Sequence, residues 1–131
     1  MNAKNDASAS ATLLVQRRVV IEFEDVHFAF DRYNLRPEAL KILDEAVAKL
    51  QANPNIQVTI EGHADSVGTQ QYNLALGDRR ANAARDYLVM RGIPASRLRT
   101  VSYGEDRPID TNETAAGRAR NRRAHLAIIM Q

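Results

Sequence analysis

Asp65 stands inside "EGHADSVGTQQYN", residues 61–73, where an apolar alternation stops in a crowd of small and polar residues. An acid at such a strand end, a few residues ahead of a helix, belongs either to an ordinary loop or to a site that presents it to a ligand. Arg80 is the second candidate. Asn73 and Arg80 are seven residues apart, so on a helix they fall within about 20° of one face. Leu76 and Gly77 lie between them on that face. A glycine inside a helix costs about 1 kcal/mol relative to alanine, so Gly77 reads as a notch that admits another backbone or a ligand. Spacing alone leaves the alternative open: a solvent-facing arginine and an asparagine in an early turn.

Other chemistries lack their parts. Ser66 and Ser102 have no nucleophile-elbow context, and the chain has no G-x-S-x-G, H-E-x-x-H or glycine-rich phosphate loop. His27, His63 and His125 fall on different strands, and His63 beside Asp65 gives too few ligands for a metal site. No catalytic residue, metal or cofactor is expected. "GRARNRR", residues 117–123, sets four arginines in seven positions, a pattern that could contact phosphates. No aromatic is interleaved, however, and the net charge is only +2. These arginines read as internal partners for carboxylates, with no nucleic-acid partner expected. Arginine outnumbers lysine 15 to 3 and cysteine is absent, which removes disulfides and Cys-ligated zinc. No stretch approaches the ~18 apolar residues of a membrane span, and "MNAKNDASASATLLVQ" has no signal-peptide pattern.

The elements that must position these groups follow from periodicity. Residues 1–17 read as a flexible lead-in and 18–131 as one domain. "RVVIEFEDVHFAFD" alternates in two phases: Val19, Ile21 and Phe23, then Val26, Phe28 and Phe30, so two short strands with a bend are expected. Pro37 opens an amphipathic helix to about residue 52 on Leu40, Leu43, Val47 and Leu50, and "NPN" stops it. Ile56, Val58 and Ile60 mark a strand. A second helix runs from about 70 to 91, with Leu74, Ala81, Ala84 and Leu88 as its expected core stripe. "RLRTVSYG" is a third strand, "EDRPIDTNETAAG" a long polar loop, and "RRAHLAIIM" a closing strand of open direction. The expected fold is α+β, an α/β sandwich ordered β-α-β-α-β-loop-β, with a mixed four-stranded sheet and its helices on one face.

Four separated segments agree on a resemblance: "FAFDRYNLRPEA", "EGHADSVGTQQYNLALGDRRANAARDYL", "RLRTVSYGEDRP" and "GRARNRR". In this order they resemble the OmpA-like peptidoglycan-binding domain family over about residues 20–130. The likeness is greater to its lipoprotein branch than to its porin tails or flagellar stator proteins, which are the alternatives. A cell-wall peptide enzyme is the reading from another class. The resemblance implies a non-catalytic clamp on the peptidoglycan peptide stem, centred on meso-diaminopimelate. Asp65 would hold the ligand ammonium and Arg80 its carboxylate, a mobile strand-end acid facing a helix-fixed base. Asp31, Asn73 and Leu76 would line the same pocket; Asn121, Arg122 and Arg123 close the family's pattern and are read as supporting, as Gly77 is from its spacing. Ala29 and Ala64 depart from the family's frequent aspartate and threonine, without removing a charge from the proposed pair. The resemblance also implies a periplasmic, outer-membrane-associated parent protein, with Tol-system partners such as TolB. Membrane attachment would come only through an anchor outside this chain.

Overall fold

The computed structural model describes residues 21–130. The reading of residues 1–17 as a lead-in lies outside these, as does Val19. In chain order the elements are β1 (Val26–His27), α1 (Pro37–Ala52), β2 (Gln57–His63), α2 (Gln70–Met90), a 3-10 turn (Ala95–Arg97), β3 (Leu98–Gly104), α3 (Ala115–Asn121) and β4 (Arg123–Met130).

Pro37 starts α1, because its missing donor costs nothing in a first turn. Ala39, Leu43, Ala46, Val47 and Leu50 form its buried face. At the far end, the Arg97 guanidinium donates to the carbonyls of Leu50, Asn53 and Ile56 at 2.8–3.0 Å, which satisfies acceptors that a helix terminus leaves free.

The sheet order is β1-β4-β2-β3. β2 and β3 pair in parallel across the α2 crossover. β4 inserts antiparallel between β1 and β2, so the first crossover skips one position. The helices cover one face of this mixed sheet. On that face Val58, Ile60, Leu98, Ala124 and Leu126 pack with Val26 and Phe28 against the buried stripes of α1 and α2.

Three expectations are corrected. Leu74 is half exposed, and α2 instead buries Asn73, Leu76, Gly77, Arg80, Ala81, Ala84 and Leu88. Polar residues occupy the buried face of its first turns, so apolar periodicity pointed to a neighbouring position. The long loop ends in helix α3, capped by Thr114, whose Oγ1 accepts from the Gly117 amide at 2.9 Å. "GRARNRR" is therefore helical up to Asn121 before β4 begins. In the first segment, only Val26–His27 is a strand among the described residues. Ile21 and Phe23 pack against the core without strand pairing there, and Phe30 points outward, 57% exposed. The chain turns at Asp31, which adopts φ +56°, a left-handed conformation that short acidic side chains tolerate.

Candidate functional site

The site lies where β2 ends and α2 begins. The β2–α2 loop is tied at several points. The Ala64 amide donates to the Gly104 carbonyl at 2.8 Å, and the Ser66 amide to Asn112 Oδ1 at 3.2 Å. Thr69 caps α2, its Oγ1 accepting from the Tyr72 amide at 3.0 Å. Within this loop Asp65 is only 4% exposed. Its Oδ1 accepts from the Val67 amide at 3.0 Å, and its Oδ2 from Arg122 Nη1 at 3.2 Å. The expectation of a mobile acid is thus corrected: both oxygens are held. Arg122, read from the sequence as supporting, is the direct ion partner of Asp65, and its Nε also donates to the Phe28 carbonyl at 2.9 Å.

Arg80 is fully buried. Nε donates to the Arg32 carbonyl at 2.8 Å, Nη1 to His63 at 3.0 Å and Nη2 to Ala29 at 3.3 Å. The Phe28 ring lies 5.2 Å from its guanidinium carbon. Burial pushes the guanidinium down to about 10, opposed by Asp65 and reinforced by Arg122. It stays charged at neutral pH, but in surroundings that solvate the charge less well than water does. Three of its five N–H donors are committed to carbonyls. The Ala29 side chain plays no part in this contact; its carbonyl does.

Asp31, Asp65, Asn73, Leu76 and Arg80 line one open cleft of about 190 Å³, with Phe30, Val67 and Tyr72 at its sides. Asn73 is buried and donates through Nδ2 to Glu105 at 2.8 Å. The Tyr72 hydroxyl donates to Asp31. Two carboxylates and a desolvated guanidinium therefore converge on a hollow with an amide at its wall. Such a set suits a small ligand carrying both signs of charge.

The remaining sequence candidates lie elsewhere. Gly77 faces the sheet: a Cβ there would fall 2.3 Å from Ser102 Oγ and 2.9 Å from the Gly62 carbonyl oxygen. The notch inferred from the sequence is filled by the β2 backbone and by Ser102 of β3, not left open to a ligand. Asn121 is buried and pins the 104–114 loop. Its Oδ1 accepts from the amides of Ile109 and Asp110, and its Nδ2 donates to Asp110 and Asn112. Arg123 is buried beside Asp25 at 3.6 Å and donates to the Arg107 carbonyl at 3.1 Å. The other arginines of that segment are also engaged, Arg118 by the Asn112 carbonyl and Arg120 by Asp110, both at 2.9 Å. His63 is buried with Nε2 3.4 Å from Glu61 and no partner for Nδ1 among the described residues. Burial, aided by Arg123, lowers its pKa to about 4. Phe30, Val67 and Tyr72 went unsingled in the sequence; Tyr72, next to Asn73 on α2, is the one that adjacency offered.

A model described as the OmpA family matches residues 27–122. A peptidoglycan-associated lipoprotein of Pasteurella multocida is 45% identical over 105 residues, covering 80% of this chain and 70% of that protein. One from Rhizobium meliloti is 42% identical over 130 residues, covering 94% and 74%. The crystal structure of the peptidoglycan-associated lipoprotein from Burkholderia pseudomallei matches with a TM-score of 0.77 at 34% identity, over 80% of this chain and 89% of that one.

Proposed function

The chain belongs to the OmpA family and is closely related to peptidoglycan-associated lipoproteins, and from that premise we propose that it binds peptidoglycan without cleaving it. The ligand group is the distal end of meso-diaminopimelate, where one carbon bears both an ammonium and a carboxylate. Asp65 receives the ammonium on lone pairs that Val67 and Arg122 leave free. Arg80 receives the carboxylate on its guanidinium. Asp31, Asn73 and Leu76 complete the pocket. The observation that carries this reading is the convergence of Asp65, Asp31 and the fully buried Arg80 on one cleft.

Electrostatics favours such a ligand. Arg80 is held in surroundings that disfavour its charge, so an anion brought to it gains more than it would beside an exposed arginine. Arg122 has the complementary effect: it holds the Asp65 carboxylate in one orientation before ligand arrives, which lowers the cost of ordering it on binding.

In the parent protein, residues 18–131 would act as the wall-binding domain of a periplasmic tether between outer membrane and cell wall. Tol-system proteins such as TolB are the partners proposed with it. No described helix is long and apolar enough to cross a membrane.

Co-sedimentation with purified diaminopimelate-type peptidoglycan tests the reading. The protein should pellet with the wall and release no soluble fragments. Asp65→Asn keeps an acceptor for Val67 but loses the charge. Removing one member of a desolvated charge set costs about 2–5 kcal/mol, so affinity should fall roughly 30-fold to several-thousand-fold. Undiminished pelleting of a folded Asp65→Asn protein, or release of fragments, would contradict the proposal.

A further inference from the structure

A second, smaller cleft of about 80 Å³ adjoins the first and shares three of its walls, Asp31, Tyr72 and Leu76. Tyr33, Ala75 and Arg79 complete it. The hydrogen bond from the Tyr72 hydroxyl to Asp31 joins two residues common to both hollows, which therefore lie side by side.

Arg79 differs from Arg80 and Arg122. Arg80 and Arg122 are engaged by carbonyls or a carboxylate. Arg79 has neither a hydrogen bond nor an ion-pair partner among the described residues, and its guanidinium carbon lies 5.7 Å from the centre of the Tyr33 ring. An aromatic face restrains a guanidinium while leaving its in-plane donor fork free. Tyr33 thus presents Arg79 at the wall of a hollow. Asp31 is the one carboxylate lining that hollow, and its Oδ1 is occupied by Tyr72. Arg79 sits on α2, next in sequence to the residue that would hold the diaminopimelate carboxylate.

We infer that Arg79, held by Tyr33, forms a second anion subsite for a stem carboxylate flanking the diaminopimelate bound in the main cleft. The inference rests on the proposed function. Two groups of a peptide stem have the required chemistry: the free α-carboxylate of the side-chain-linked glutamyl residue on one side, and the terminal carboxylate of the alanine on the other. Either would extend recognition from a single amino acid to the stem.

The test is isothermal titration of the protein and of Arg79→Gln with free meso-diaminopimelate and three synthetic stem tetrapeptides. One stem is unmodified, one has the glutamyl α-carboxyl as an amide, and one has the terminal carboxyl as an amide. Free diaminopimelate should bind both proteins equally. One of the two amidations should weaken binding to the parent about three- to fivefold, the size of a partly exposed ion pair, and that amidation identifies the carboxylate read. Arg79→Gln should bind the unmodified stem as weakly as the parent binds that amide, and should not distinguish the two. If neither amidation affects the parent, or if Arg79→Gln keeps the full discrimination, the subsite is refuted. Failure of diaminopimelate and the unmodified stem alike to bind the parent protein would instead overturn the underlying reading, and this one with it.

Discussion

The two halves of α2 bury opposite chemistries with the same helix. Toward its C-terminus the buried face is Ala81, Ala84 and Leu88, which meets the apolar core shared with α1. Toward its N-terminus the same face carries Asn73, Leu76, Gly77 and Arg80. The first arrangement gains from removing apolar surface from water. The second buries polar groups that would be costly without partners, and the structure supplies them: three carbonyls for Arg80 and Glu105 for Asn73. Between the halves, the helix backbone comes close to β2 through Gly62 and Gly77. One end of the helix therefore secures the fold, and the other secures a buried charge in the wall of a cleft.

The largest effect should come from the point where the halves meet. A Cβ on Gly62 would lie 1.7 Å from the Gly77 carbonyl oxygen and 2.5 Å from its carbon. Both are backbone atoms, so α2 must move off the sheet. Gly62→Ala should lose more than about 4 kcal/mol of stability, in the range of exceptional substitutions, and with it ligand binding. Leu88→Ala, in the apolar half, should cost about 2–5 kcal/mol yet leave ligand affinity in the folded protein unchanged. Urea unfolding and titration of both variants would check this. Normal stability of Gly62→Ala, or a loss of affinity in folded Leu88→Ala, would break the division between the halves.

Arg80→Met tests the polar half. The side chain keeps much of its bulk but leaves the carbonyls of Ala29, Arg32 and His63 without this donor. An unsatisfied buried acceptor costs about 1–3 kcal/mol, so a net loss of about 2–4 kcal/mol in chemical denaturation is expected, beside the loss of ligand. An unchanged unfolding midpoint would show that Arg80 serves the ligand alone.

A smaller effect concerns pH. His63 is buried among Glu61, Tyr103 and Arg123, with His125 on the neighbouring strand, and its pKa is lowered from 6.5 to about 4 by burial first and Arg123 second. Because the folded value is depressed, the unfolded chain binds more protons between these values. The histidine's contribution is complete above pH 6.5 and is lost as pH falls toward 4. The thermal midpoint should decline over that window, and His63→Asn should flatten the decline. An equal slope in both proteins would assign it to other groups.

Much of this architecture is legible in the sequence, for physical reasons. Pro37 and "NPN" punctuate α1 strongly, and its expected and observed ranges agree. β2 and β4 are marked by alternation with one buried face. Helix α3 is missed because seven residues of alanine, arginine, glycine and asparagine carry no apolar stripe. The exposure of Leu74 is missed because a helix that buries arginine and asparagine misdirects a reading based on hydrophobic residues. At the site, Asp31, Asp65, Asn73, Leu76 and Arg80 were named through family resemblance, and they share a cleft. The engagement of Arg80 by three carbonyls was not legible. Its carbonyl partners lie 17 to 51 residues away along the chain, and a carbonyl belongs to every residue alike.

The central claim is that the cleft reads an ammonium and a carboxylate on one carbon. Isothermal titration with two stem peptides, identical except for diaminopimelate or lysine at the third position, tests it most directly. Both stems offer Asp65 an ammonium, but only the first offers Arg80 a carboxylate. A site built around a hydrogen-bonded group rejects the analogue that lacks it. The account predicts clear binding of the diaminopimelate stem and little binding of the lysine stem. Equal affinity for the two would contradict it, whatever the protein's affinity for whole cell wall.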